Sequence, residues 1–269
     1  TPPFSHFEIG KAALSAGKHV FFEKPGSLSP EDMGKLISLA EERQRKASID
    51  FVMRRNPLYF ILKQLCKNGT FGLAERAFLE NYAHDDSLPP EHWFWDYEKS
   101  GGIWVEHGVH FFDLTNWLLG PACGASGEKI PRRGADIVDR VVGRAFHDDA
   151  VVSYYHGFTK PEALERTYYS LVFERAYTKA KGWIPVELAV DAMTDPDTEE
   201  YMTGDLLSKA QKYLPGIDVI LEVKHIRNWD KTAAFKGRGK TFEAPSRINF
   251  IYRLGRDRWE VYKACVREG

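Results

Sequence analysis

The sequence predicts an α/β opening followed by a larger α+β region built on an open, mainly antiparallel sheet. Three observations carry this expectation. Up to about residue 56, apolar residues at helical spacing alternate with short strand-like runs; from Gly72 onward the runs lengthen and alternate apolar with polar; and a single long apolar helix interrupts them.

Phe7, Ile9, Ala12, Ala13 and Leu14 form an apolar helical face, Gly17 stands where a left-handed cap is wanted, and His19 to Glu23 follows as a short strand. Ser29-Pro30-Glu31-Asp32 opens a second helix: a hydroxyl for the N-cap, proline in the first turn and two acids that suit the helix dipole. Its apolar face runs through Met33, Leu36, Ile37 and Ala40, and a strand from Ile49 to Met53 is expected next. Such alternation marks parallel strands covered by helices.

Later strands are expected over Leu73–Tyr82, Ile137–Phe146, Val151–Phe158, Thr167–Arg175, Trp183–Ala192 and Ile248–Leu254, with Asp148-Asp149 as a hairpin turn and Gly255-Arg256-Asp257 ending the last run. The long helix spans Ile103 to Leu119 and stops at Gly120-Pro121; Asp195 to Leu214 reads as helical and peripheral. Residues 1–56 and 57–269 are expected to form two domains.

A length of 269 residues is ample for a real core, and 43% hydrophobic with 28% charged residues excludes a disordered chain. The net charge of -1, with no basic cluster, gives no electrostatic reason to expect nucleic acid or an anionic membrane. Cys66, Cys123 and Cys265 are odd in number and far apart, which argues against a disulfide framework or thiolate metal site and for a reducing, cytoplasmic setting. No apolar run is long enough to span a bilayer as a helix. The chain opens on Thr1 and closes on what reads as an unfinished helix, so both ends are expected to be cut.

Two motifs can carry chemistry. Glu106, His110, Asp113 and Trp117 fall at i, i+4, i+7 and i+11, one stripe of a helix otherwise rich in Trp104, Phe111 and Phe112. The bland alternative is a core histidine satisfied by Asp113. Glu23-Lys24-Pro25-Gly26 follows a strand directly, where open parallel sheets present ligand-binding loops, although alone it could be a charged surface turn.

Taken together these residues resemble the glucose-fructose oxidoreductase and inositol dehydrogenase (Gfo/Idh/MocA) family. The likeness runs through Thr1-Pro2-Pro3, His6, Ala16 to Pro25, Met53-Arg54-Arg55-Asn56-Pro57, Asn68 to Gly72, and Ser100 to Asp113 with Trp117 to Gly120 behind it. It implies the C-terminal part of a Rossmann-type nucleotide-binding domain followed by the open-sheet domain. It implies NAD or NADP as cofactor, held in part by Pro2, His6, Glu23, Lys24 and Pro25, and a cis Lys24–Pro25 bond. His110 would be the general acid or base and Lys24 would steady charge on the reacting oxygen, with Glu106, Asp113, Arg54 and Arg55 binding a sugar or polyol. A homo-oligomer through the sheet is also implied.

Two departures qualify the resemblance. Glu106 stands where the family most often has aspartate, which shifts a carboxylate by roughly a bond length and bears on substrate choice. The G-x-G-x-x-G turn expected ahead of such a segment does not precede Thr1, so residues 1 to 269 alone are expected not to hold the cofactor tightly. An NAD-dependent glycoside hydrolase and a non-catalytic sugar-binding or assembly module are the alternatives.

Other signals are weak. Phe235 to Thr241 ends like a phosphate-binding loop but reads as a basic hairpin turn; Glu106, His107 and His110 lack the order and third ligand of a zinc helix, so no metal is expected. Asn68-Gly69-Thr70 reads as a turn rather than a glycosylation site, and His84-Asp85-Asp86 and His147-Asp148-Asp149 as solvated turns. Trp93-Phe94-Trp95-Asp96 fits either core or a sugar-stacking surface.

Overall fold

The structure, a computed structural model, describes residues 1–228, 235–237, 240–242 and 246–268. The chain opens with helix α1 (His6–Ser15), strand β1 (Val20–Phe22), helix α2 (Pro30–Glu42) and strand β2 (Ala47–Ile49). The two strands pair in parallel, Val20 opposite Ala47 and Phe22 opposite Ile49. Leu14, Phe22, Leu36 and Ala40 fill a small core beneath the helices. Helix α2 starts as its sequence dictates, with the Ser29 side chain accepting from the Asp32 amide and Pro30 in the first turn.

Strand β2 stops at Ile49 rather than running on to Met53. Asp50 donates one last backbone hydrogen bond to Phe22, 2.8 Å, and the Phe51 amide then turns back onto Ile49. Val52–Arg55 wind into a 3-10 turn. The apolar pair that made this stretch read as strand, Val52 and Met53, is instead buried in the main core. Helix α3 (Pro57–Asn68) follows at once, N-capped by Asn56, whose side chain accepts from the Leu58 amide and donates to the Pro185 carbonyl, 2.9 and 3.0 Å.

Strand β3 (Ala74–His84), short helices α4 (Tyr97–Ser100) and α5 (Gly102–Glu106), and helix α6 (Val109–Leu119) come next. They are followed by β4 (Gly124–Pro131), β5 (Val138–Phe146), β6 (Val151–Lys160), β7 (Arg166–Phe173), β8 (Ala176–Lys181) and β9 (Glu187–Thr194). Helices α7 (Pro196–Thr203) and α8 (Asp205–Gln211), strands β10 (Val219–Asn228), β11 (Phe235–Gly237), β12 (Lys240–Phe242) and β13 (Ser246–Leu254), and helix α9 (Arg258–Arg267) complete the described chain.

Nine strands form one sheet in the order β10-β13-β9-β8-β7-β3-β6-β5-β4. All neighbours are antiparallel except β3 and β6, so the sheet is mixed, and the crossover between those two parallel strands carries α4, α5 and α6. Strands β7, β8, β9 and β13 alternate buried and less buried residues, the mark of one covered face. Leu171, Val190, Ile248 and Phe250 on that face pack with α3, α6, α8 and α9 residues such as Leu62, Leu114, Leu206 and Val261.

Several expected elements changed. Strand β8, with its alanines and lysines, and strand β4, exposed almost throughout, escaped the pattern because neither presents a row of large apolar residues. The run expected as a strand from Trp183 begins as a turn, and β9 starts at Glu187. Residues expected to form a peripheral helix split at Gly204 and are not peripheral: Met202, Leu206, Ala210 and Leu214 are buried in the main core. The Asp148-Asp149 turn forms, closed by the His147 amide on Ala150, yet His147 itself is buried with Nδ1 against the Gly120 carbonyl. In the basic hairpin, β11 and β12 pair as expected, Gly237 opposite Lys240, while Arg238 and Gly239 lie outside the described residues.

The long helix is interrupted. The His107 and Gly108 amides both reach back to the Ile103 carbonyl, 3.1 and 2.8 Å, and the Phe111 and Phe112 amides both bond to Gly108. A Cβ at Gly108 would lie 2.7 Å from the Trp104 carbonyl, so a residue with a side chain does not fit this crossing. Glu106 therefore ends α5 while His110 begins α6, and the simple one-stripe spacing no longer relates them.

Asn56 is fully buried and joins α3 to the turn before β9. Asn56→Ala should lower the unfolding free energy by about 2–4 kcal/mol, from the lost cap and a stranded carbonyl, as a reduced urea midpoint.

Candidate active site

Lys24 sits just past the carboxyl end of β1, and its peptide bond to Pro25 is cis, as the resemblance implies. The loop is held from below by His6, whose Nδ1 lies 2.7 Å from the Pro25 carbonyl and Nε2 2.9 Å from that of Thr1. Pro2 supplies the carbonyl that closes the first 3-10 turn on Ser5. The Lys24 ammonium donates to two oxygens of one residue: the Glu106 carbonyl at 2.6 Å and Oε1 at 2.7 Å. Glu106 ends α5, so its carbonyl is one of those a helix leaves free for another donor.

Lys24 and Glu106 line a cavity of about 410 Å³ together with Glu23, Asp50, His110 and Trp183, whereas Pro2, His6 and Pro25 are not among its lining residues. His110 is 5% exposed, and neither ring nitrogen has a hydrogen-bond partner among the described residues; its ring packs edge-on to Trp183 at 5.4 Å. Burial, with the positive charge of Lys24 adding to it, pushes His110 down to about 3. The imidazole is therefore neutral at ordinary pH and able to accept a proton.

Two further histidines stand behind it. His107 Nε2 lies 3.0 Å from Asn81 Oδ1, and Asn81 in turn donates to Thr167. Burial, then His156, Lys24 and His110, hold His107 well below its usual range. His156 is fully buried with both nitrogens unpartnered among the described residues, and burial takes it to about 3. Glu106, His107 and His110 do not converge as metal ligands, and no group of three or more metal-ligating side chains occurs among the described residues.

The sequence-predicted residues divide into two places. Lys24, Glu106, His110 and Glu23 meet in the cavity. Arg54 and Arg55 instead line a separate recess with Phe51, Trp117 and Tyr213. Asp113 pairs with Arg54 through both carboxylate oxygens, 2.8 and 2.5 Å, rather than with His110, and is not among the residues lining the cavity. Burial raises Asp113 while Arg54 opposes that shift.

Asp50, Trp183, Tyr262, Asn81 and His107 line the cavity without having been singled out for it. Of these only His107 drew attention in the sequence, as part of the rejected zinc reading; Asp50 lay inside the expected Ile49–Met53 strand and stands at its end only because β2 stops at Ile49. The aromatic cluster divides differently: His92, Trp93 and Phe94 line the cavity, Phe94 being also buried against Phe158, whereas Trp95 packs behind them in the core. His84, expected to be solvated, lines it too, 3.4 Å from Glu165.

Comparison with known proteins bears on this arrangement. Residues 1–51 match the model described as oxidoreductase family, NAD-binding Rossmann fold, and residues 61–165 match the GFO/IDH/MocA C-terminal domain. The chain belongs to the Gfo/Idh/MocA family. It is 31% identical to the myo-inositol 2-dehydrogenase of Thermotoga maritima over 55% of this chain and 42% of that one. It is 35% identical to an uncharacterised oxidoreductase of Synechocystis over 45% of this chain and 33% of that protein. An inositol dehydrogenase homologue complexed with NAD+ from Azotobacter vinelandii superimposes with a TM-score of 0.66 at 20% identity, covering 73% of this chain and 54% of that one. That likeness establishes the fold: a Rossmann-type segment and a domain with a large mixed sheet. This Gfo/Idh/MocA chain spans well under half the length of the curated relatives it matches.

The three neutral histidines have a consequence for stability. An unfolded imidazole titrates near ~6.5, whereas His107, His110 and His156 titrate far lower when folded, so the unfolded chain binds protons first as pH falls. Stability is full above about pH 6.5 and declines below it, by about 2 kcal/mol per ring at pH 5. The urea midpoint should drop between pH 7 and pH 5, and His156→Phe should flatten that drop.

Proposed function

We propose that this chain carries the chemical half of an NAD- or NADP-dependent dehydrogenase or reductase acting on a CH–OH group of a sugar, polyol or related cyclic alcohol. The observation that carries this reading is one cavity holding both a neutral, unpartnered His110 and the anchored ammonium of Lys24. In the oxidation direction His110 accepts the hydroxyl proton, and a Lys24 N–H donates to the oxygen as negative charge grows on it. Glu106 keeps Lys24 in place. In reduction the same groups work in reverse.

The residues after β1 fit a nicotinamide: Glu23, Lys24 and Pro25 stand at the carboxyl edge of parallel strands, with His6 fixing the Pro25 carbonyl and Pro2 ordering the turn before it. The nicotinamide, when bound, supplies the hydride acceptor or donor. Asp113, Arg54 and Arg55 support the site from the neighbouring recess, where the Arg54–Asp113 pair fixes α6 against the 3-10 turn. Unpaired Cys66, Cys123 and Cys265 support a cytoplasmic setting. Exposed apolar residues on the strands, Val142, Phe146, Tyr177 and Ile220, support a homo-oligomer through the open sheet.

In the full-length protein, assayed by nicotinamide absorbance on a panel of inositols and pyranoses, Lys24→Ala and His110→Asn should each lower kcat by about 10²–10⁴-fold. Unaltered turnover in both variants would sink the assignment.

A further inference from the structure

Asp50 is a buried carboxyl group with nothing to hold it. It is 2% exposed, its side chain makes no hydrogen bond among the described residues, and Oδ1 is fully shielded. Burying such a group without a partner disfavours folding, so its place in the structure calls for a compensating contact. It lies one residue past β2, beside the end of β1, where its backbone N–H bonds to Phe22. That places it in the same cavity as Lys24, Glu106 and His110.

The wall around it comes from the large domain. Trp183 stacks edge-on to His110 and lies 5.6 Å from the Tyr262 ring of α9. Tyr262 is raised by burial and then by the charges of Glu23 and Asp50, which locates both acids on its side of the cavity. The Trp183 indole N–H is also buried, without a partner among the described residues. An acceptor and a donor with hydrogen bonds unmet among the described residues thus line the same cavity as the neutral histidine, a pattern that suits hydroxyl groups, which both give and take hydrogen bonds. Burial, with Glu23 adding to it, lifts Asp50 to about 6, in keeping with a carboxyl in want of a donor.

We infer that Asp50 is a specificity-determining residue that accepts a hydrogen bond from a second hydroxyl of the polyol, one other than the hydroxyl that exchanges its proton with His110. The inference rests on the dehydrogenase reading. It makes the cavity selective for a ligand with at least two hydroxyls, because loss of one leaves Asp50 buried and unpaired again.

The test uses the full-length enzyme with Asp50→Asn and Asp50→Ala, the best-turned-over member of the inositol and pyranose panel, and its monodeoxy analogues. Both variants should raise the KM for the polyol about tenfold or more, leave kcat within about threefold, and leave the nucleotide KM unchanged. One monodeoxy analogue should lose the same factor with the wild type and lose nothing further with Asp50→Asn. The thermal midpoint of Asp50→Asn should not fall, since no protein hydrogen bond is removed and the volume is kept. An unchanged polyol KM, a raised nucleotide KM in its place, or a lowered midpoint with uniform loss of activity would overturn the inference. Those outcomes are separate from the Lys24 and His110 variants: if those retain turnover while Asp50→Asn still weakens polyol binding in calorimetry, the dehydrogenase reading fails and Asp50 keeps its role.

Discussion

Lys24 reaches from the loop after a short parallel strand to a residue 82 positions further along, and one partner there, Glu106, offers it both a carboxylate and a backbone carbonyl. The arrangement depends on the interruption of the helix at His107 and Gly108. In an unbroken helix the Glu106 carbonyl would be taken by an amide one turn on; with the break it faces the ammonium. The same break starts a new helix at Val109 and puts His110 in the wall of the cavity. Both Lys24 and Glu106 side chains are about 15% exposed, so removing either would leave a largely desolvated charge without its counterpart. The ion pair thus joins the parallel strands to the mixed sheet at the point where the chemistry is proposed.

Much of this was legible before any coordinates. Lys24 followed a strand and preceded a proline, and His110 lay on an aromatic-rich helix; residue type and local context were enough for both. Glu106 was legible as a neighbour but not as the anchor of Lys24, because its role depends on the helix ending beneath it. Gly108 in the middle of an apolar helix was the available signal for that ending. Asp113 looked like a partner for His110 on helical spacing, yet a bidentate guanidinium from the 3-10 turn competes better for a carboxylate than an imidazole kept neutral by burial. Trp183 and Tyr262 were not legible at all. They enter the cavity from a turn before β9 and from α9, placements set by how the sheet packs rather than by any local pattern. The sheet itself is half visible in the sequence: most strands with rows of large apolar residues stand out, but β10, despite Val219, Ile220, Leu221 and Val223, was not expected, and β4 and β8 are held chiefly by their neighbours' backbones.

The electrostatics of the cavity follow from how deeply its histidines are buried. Lys24 is matched by the carboxylate that anchors it, and His107, His110 and, behind them, His156 are held neutral chiefly by burial. A base held this way is available over a broad pH range, since lowering the pH to 5 does not protonate it when folded. The cost falls on the fold, which must keep His107 and His156 uncharged as well, although the latter has no hydrogen-bond partner among the described residues.

Helix α9 brings Tyr262 back to a cavity that Glu23 and Lys24, from near the start of the chain, also line. Closing that wall joins segments separated by most of the chain, a contact with high loop-closure entropy, whereas the hairpins β4–β5, β5–β6 and β7–β8 are local. The hairpins are thus complete within themselves, whereas this wall of the pocket is not. The pocket is shared property of this architecture: its wall is closed where α9 packs on the 3-10 turn after β2, so shortening the chain at its far end would open a site whose lysine lies near its beginning.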